Sequence, residues 1–339
     1  MKAIKTNCIL LLVLVFLGCR ENYNLNIGAF PENLPINLID LNSRYDEMNS
    51  DFVSPYFSTG VTLIFSSNAI RKGGNFDLDA RILSFNQDKE SGDFTFSAGQ
   101  ITGQNATIRN QLFEINSDCE ERGPYSFVTP SFGINYSLFS RVCEGISHIF
   151  LNEFENTGPF SYRSENFQIS LLNENVSEMY PSFYGENYLK GADLTSQGTP
   201  EMLLFTSDKD GQFDIFETDI PSGQSPIQFL SDANPKTVRK LILNTASNDH
   251  MPFVYGDLLV FSSDRPGGLG GYDLYYSMKT ANGWTEPINF GPKINSEYDE
   301  FRPVVSDSWE FSNQVMIFSS NRPGGLGGFD LYFVGIPKF

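Results

Sequence analysis

Residues 261–277 read FSSDRPGGLGGYDLYYS, and residues 318–334 read FSSNRPGGLGGFDLYFV. The two differ only at Asp264/Asn321, Tyr272/Phe329, Tyr276/Phe333 and Ser277/Val334. A catalytic centre written twice is rare, whereas reuse of one building unit is the ordinary origin of such a pair. Weaker copies follow from the same template. FSSNAIRKGGNFDLDARI begins at Phe65, and its spacing to Asp77 equals that from Phe261 to Asp273 and from Phe318 to Asp330. FTSDKDGQFDIFE begins at Phe205, with a shorter loop before Asp214. A degenerate copy is expected at Phe150, within IFLNEFENTGPFSYRSENFQIS.

Two further elements accompany the motif. Ahead of it stand Glu300-Phe-Arg-Pro303-Val-Val, Asp249-His-Met-Pro252-Phe-Val and Glu178-Met-Tyr-Pro181-Ser-Phe. After it stand Trp284-Thr-Glu-Pro-Ile-Asn-Phe-Gly291 and, more loosely, Ser225-Pro-Ile-Gln-Phe-Leu230. Each unit therefore reads as four short strands: a (Pro-Val-Val), b (Leu-Leu-Val-Phe-Ser-Ser), c (Tyr-Asp-Leu-Tyr) and d (Trp-Thr-Glu-Pro). Four-stranded antiparallel units recurring at roughly fifty-five residues predict an all-β fold, a β-propeller. The last unit stops at strand c. LPINLIDLNSRYDE at residues 34–47 matches EPINFGPKINSEYDE at residues 286–300 with a one-residue gap. The N-terminal segment 33–40 is thus expected to supply the missing d strand and leave no free sheet edge. The expected blades are 41–98, 120–175, 176–230, 244–291, and 294–339 with 33–40. Five is the blade count, and the long stretch 98–125 leaves six open.

Composition agrees with a folded β-rich chain. Aromatic residues make up 14% of it, 31 of them Phe, charged residues only 19%, and 29 Gly with 18 Pro supply turns. The net charge of −18 repels phosphate backbones, which excludes nucleic acid as a partner.

Residues 1–18 read as a leader: Lys2 and Lys5, then the apolar run CILLLVLVFL, too short for a membrane-spanning helix. The run ends in Phe16-Leu17-Gly18-Cys19, which resembles a bacterial lipoprotein lipobox, although Phe16 stands where Leu is commoner. That resemblance implies cleavage before Cys19 and its acylation, palmitate included, so that lipid rather than a helix holds the membrane. An ordinary secretory signal is the alternative. Arg20, where Asp would retain such a protein inside, favours the outer membrane. The segment 19–32 is then a tether and 33–339 a single propeller domain. Of the remaining cysteines, Cys119 and Cys143 are expected to form a disulfide in an oxidising compartment, two free thiols being the alternative.

The turn chemistry explains the quoted stretch. Pro266 and Pro323 fix φ, and the glycines permit conformations closed to other residues. Asp77, Asp214, Asp273 and Asp330 follow the turn, where a carboxylate accepts backbone N–H groups; they read as structural. Topology sets the b–c loops beside the d–a connections, so Arg265 and Arg322 share a face with Tyr298, Asp299 and Glu300. This set is a candidate binding rim, its competitor being internal ion pairing. Asp208, Asp210 and Asp214 have a calcium-loop spacing, yet they align with the b–c loop of sister blades, and no metal or cofactor is expected.

FSSDRPGGLGGYDLYYS and INSEYDEFRPVV resemble the WD-repeat-like propeller repeats of the TolB-type family. The resemblance is specific over 244–334, moderate at 41–84 and 176–216, and poor over 98–175. It implies a protein-interaction platform for another envelope protein, and no enzyme. The chain has only two histidines, His148 and His250, and no Gly-x-Ser-x-Gly, which argues against triad chemistry. A glycan- or peptide-binding module for nutrient capture is the alternative. More remote is a glycosidase, since five-bladed propellers also house paired carboxylates.

Overall fold

The computed structural model describes residues 28–54, 56–101, 106–127, 134–158, 161–172, 175–189 and 198–339. Cys19 and the leader lie outside them. Among the described residues, five β-sheets stand around one axis, so the fold is all-β and five-bladed. Blade 1 contains Glu47–Phe52, Gly60–Ser67, Asp77–Gln87 and Phe94–Gln100. Blade 2 contains Glu120–Phe127, Ile134–Cys143, Ile146–Gly158 and Ser161–Gln168. Blade 3 contains Glu178–Tyr184, Met202–Ser207, Asp214–Asp219 and Val238–Lys240. Blade 4 contains Asp249–Tyr255, Leu258–Ser263 and Asp273–Thr280, with Gly283–Trp284 and Ile288–Asn289 as a divided d strand. Blade 5 contains Glu300–Ser308, Gln314–Ser320 and Asp330–Ile336.

The N-terminus completes blade 5. Ile36–Asn37 pairs antiparallel with the last strand, Ile36 opposite Phe333 and Asn37 opposite Tyr332. The N–H of Leu38 adds a bond of 2.9 Å to the carbonyl of Leu331. The stretch 98–125 that left six blades open carries instead a helix, Ala106–Ile115, against blades 1 and 2.

One aromatic per blade fills the core from strand b: Phe65, Phe139, Phe205, Phe261 and Phe318, each at most 1% exposed. Full burial of such a side chain stabilises by roughly 1.5–3 kcal/mol. This series corrects the expected copy at Phe150. The blade 2 copy begins at Phe139, because its b–c loop has shrunk to a turn at Glu144 and Gly145, both at positive φ. Phe150 is a strand c residue stacked on Phe139 at 5.7 Å.

Blade 3 corrects a second expectation. Ser225–Leu230 is not its d strand; Pro226–Ser231 is a helix. Ser225 caps the Gln228 N–H while Gln228 caps Ser225, and Pro226 occupies the first turn, where its missing N–H costs nothing. The d strand comes later, at Val238–Lys240. The segment expected as tether also differs in part. From Gly28 the chain is packed: Gly28 bridges Phe311, and Phe30 is buried with its N–H on Asn313.

Each strand a carries the same bulge. Asn49, Gly123, Tyr180, Met251 and Arg302 have φ between 46° and 57°, and the pairing with strand b slips at each. A left-handed conformation costs a non-glycine residue roughly 1–2 kcal/mol. Its recurrence in all five blades shows that the bend of strand a at the axis is part of ring geometry.

Candidate functional site

The repeated residues form joints between blades. The N–H groups of Glu47, Glu121, Asp249 and Glu300 donate at 2.8–2.9 Å to Phe329, Phe76, Phe213 and Tyr272, each just before strand c of the preceding blade. Asn42, Asn116, Asn244 and Asn295 clamp strand c at Leu331, Leu78, Ile215 and Leu274 through both amide atoms. The glycines are needed for approach. A Cβ on Gly270 would collide with the carbonyl of Tyr298, and one on Gly327 with that of Tyr45.

The candidate rim is absorbed by these joints. Glu300 is fully buried and accepts Ser296 Oγ, Ser320 Oγ at 3.2 Å and Arg322 Nη2 at 2.8 Å. Arg265 meets Asp249 in the same way, and Arg141 meets Glu121 at 2.8 Å. Asp299 binds the Tyr272 N–H at 3.0 Å and pairs with Asn321, while the Tyr298 N–H donates to Ser296 Oγ. In blades 1 and 3 the equivalent acids take neutral donors: Glu47 accepts from Ser43 and Ser67, and Glu178 accepts the Leu172 N–H. Burial raises both carboxyls, Glu178 to about 7.

The turn aspartates divide into two kinds. Asp273 takes the N–H groups of Leu269 and Gly270, and Asp330 those of Leu326 and Gly327. Asp77 is paired with Arg71 at 2.9 Å and Asp214 with Lys240. The calcium spacing does not converge: Asp208 accepts the Ser177 N–H and Asp210 faces Lys209, and no metal-ligating cluster occurs among the described residues. Cys119 and Cys143 are joined as a disulfide, with Cα atoms 5.2 Å apart. His250 stacks on Phe213 at 4.3 Å, and burial pushes it down to about 3, so it is neutral.

The axis is plugged. Arg302 is fully buried and donates to the carbonyls of Pro252 at 2.7 Å and Pro124 at 3.4 Å, with its guanidinium 5.5 Å from the Tyr180 ring. Asp51, buried and accepting the Ser126 N–H at 2.7 Å, supplies the opposite charge; burial raises its carboxyl to about 7, and Arg302 works against that rise. Below it lies a pocket of about 20 Å³ walled by Tyr125 and Tyr188, the size of one water.

The concave polar surface is on the opposite face from the b–c loops, where strands a end. Between blades 3 and 4 a cleft of about 550 Å³ is lined by Tyr184, Glu186, Glu201, Glu217, Arg239, Asp257 and Lys279, among others. Tyr184 donates its hydroxyl to Glu217, whose other oxygen accepts Arg239 Nε at 2.7 Å. Arg239 reaches on to Asp219, and that bond holds its guanidinium more firmly protonated. Burial, with Glu217 alongside, raises the Tyr184 hydroxyl, so it stays a donor. Lys279 Nζ sits 5.0 Å from the rings of both Tyr184 and Trp284. Sequence reasoning missed this site, because its residues come from parts of the blades that do not repeat.

No protein-family model and no curated protein matches the chain. Solved structures do resemble it. An endo-arabinase from Bacteroides thetaiotaomicron shares 13% identity over 91% of this chain and 100% of its own, with a TM-score of 0.48. An alpha-L-arabinanase mutant from Cellvibrio cellulosa shares 11% over 86% and 92%, at 0.42. An endo-arabinanase from Bacillus licheniformis shares 10% over 87% and 96%, at 0.43. These are glycoside hydrolases, not TolB-type or WD-repeat propellers. That corrects the expected kinship, and the expectation of a chain without enzymatic activity loses the kinship it rested on. At such identities the likeness is one of architecture, and no catalytic residue is carried over from it.

Proposed function

We propose that the protein binds a neutral carbohydrate in the cleft between blades 3 and 4, held at the bacterial outer membrane by acylated Cys19. The observation that carries the binding reading is the chain Tyr184–Glu217–Arg239–Asp219, set in a cleft of about 550 Å³. Sites for small ligands are concave and place a few oriented polar groups in a shaped cavity. Here the oriented groups are carboxylates and guanidinium, whose paired atoms match adjacent sugar hydroxyls. A protein of net charge −18 disfavours polyanionic glycans, which leaves neutral ones.

Isothermal titration against neutral and polyanionic oligosaccharides tests the reading. Neutral glycans bind, polyanions do not, and Glu217→Gln weakens binding by roughly tenfold, the cost of one lost charged hydrogen bond. Equal binding by that variant removes the reading. Sugar release on the same panel separates hydrolysis from retention: Glu186, Glu201, Glu217 and Asp257 are the acids lining the cleft, and turnover lost in Glu217→Gln would make this a glycosidase. Labelling of cells with an alkynyl palmitate analogue tests the anchor; label that persists in Cys19→Ala contradicts it.

A further inference from the structure

A second cavity lies beside the cleft. It has a volume of about 320 Å³, lies between blades 4 and 5, and is lined by Tyr56, Tyr255, Asp257, Asp307, Gln314 and Lys338, among others. Asp257, in the turn between Tyr255 and Leu258, lines both cavities. The two cavities thus adjoin at the a–b turn of blade 4.

The walls of the second cavity are polar and partly unsatisfied. Tyr255 donates to Asp307 Oδ2 at 3.2 Å, and Lys338 Nζ stands 3.1 Å from Asp307 Oδ1. Gln314 is only 7% exposed, and its Oε1 has no hydrogen-bond partner, while its Nε2 reaches Asp307 at 3.4 Å. A buried acceptor left unpaired costs about 1–3 kcal/mol, so a site that tolerates one is suited to a ligand or water that brings a donor. A hydroxyl-rich ligand brings many. Tyr56, which donates to the carbonyl of Leu189, edges onto Tyr255 at 5.9 Å between ring centres and gives the pocket an apolar floor.

We infer that the carbohydrate is an oligosaccharide that runs across Asp257, with one part in the cleft of blades 3 and 4 and another in the pocket of blades 4 and 5. This rests on the carbohydrate reading above and adds chain length as the property that is recognised. The pocket is a second subsite: it sets preference for longer chains, and it binds too little of a monosaccharide to hold it alone.

Titration with xylo- and gluco-oligosaccharides, from the monosaccharide to the hexasaccharide, tests it. Affinity rises with length at least tenfold and then levels off. Gln314→Leu, which keeps the volume and removes the acceptor, and Asp307→Asn both abolish that rise while leaving the affinity for the shortest binding sugar unchanged. Glu217→Gln weakens every length alike. Binding without length dependence, or length dependence intact in both pocket variants, overturns the second subsite and leaves the cleft reading standing. No binding at any length by the native protein removes both. Circular dichroism and thermal unfolding of the variants establish that they fold.

Discussion

Asp46 Oδ1 accepts the backbone N–H of Phe329 at 2.9 Å across 283 residues of sequence. Phe329 returns the contact, its carbonyl taking the Glu47 N–H at 2.9 Å. The same two bonds join Asp299 and Glu300 to Tyr272 one blade earlier. The joint that closes the ring is therefore chemically the same as the joint between consecutive blades.

Gly327 is the sensitive point of that closure. Its missing Cβ makes room for the Tyr45 carbonyl, whereas nothing lies within 4 Å of the Cβ position on Gly324, where the constraint is φ of 92°. Gly327→Ala forces backbone apart and should lower stability by about 3 kcal/mol or more, and Gly324→Ala by about 1 kcal/mol. Thermal unfolding of the two variants measures the difference, and equal losses would contradict the packed joint.

Arg322→Ala leaves Glu300 buried without its cation. Breaking such a pair from one side costs about 3–5 kcal/mol, because the remaining charge stays desolvated. The double variant Glu300→Gln with Arg322→Met should recover much of the loss. Denaturant unfolding of the three proteins decides whether the pair acts as a latch.

Stability should fall from pH 5 to pH 8. Burial raises Asp51 from 3.8 to about 7 and Glu178 from 4.5 to about 7. A carboxyl with a raised pKa binds its proton more tightly folded than unfolded. Its contribution is therefore fully present below the unfolded pKa and lost as pH rises through the folded one. Between pH 5 and pH 8 each group accounts for about 3 kcal/mol at most. Glu178→Gln should flatten the profile, and an unchanged slope would show that this carboxyl is already ionised in the native state.

Reduction of the Cys119–Cys143 disulfide, whose partners are 24 residues apart, should destabilise the fold by about 3 kcal/mol in the chain-entropy picture. Melting with and without dithiothreitol measures it. No shift would mean that strands a and b of blade 2, paired from Glu120 to Val142, hold that loop closed unaided.

The ring was legible in the sequence because its joints repeat. The Asn and Asp side chains of NSRYDE and NSEYDE bind the preceding blade, and the Ser and Glu side chains bind each other within the motif, so their spacing could not drift. Blade 2 was misread because a hairpin turning at Glu144 and Gly145 needs none of the loop that carries the motif. Blade 3 was misread because Ser225 and Gln228 cap a helix where strand d was expected. The cleft was invisible for a related reason. Glu201, Glu217, Arg239 and Lys279 occupy different positions in two blades, and only the fold brings them together. Arg265, Arg322, Tyr298, Asp299 and Glu300 drew notice as a rim because they repeat, and they repeat because the joints of blades 4 and 5 are built from them.

The most direct test is a crystal structure of the protein soaked with a neutral hexasaccharide that binds in titration. The account predicts sugar density against Glu217 and Arg239, continuing past Asp257 toward Gln314. Density on the face of the b–c loops, with both cavities empty, would contradict it.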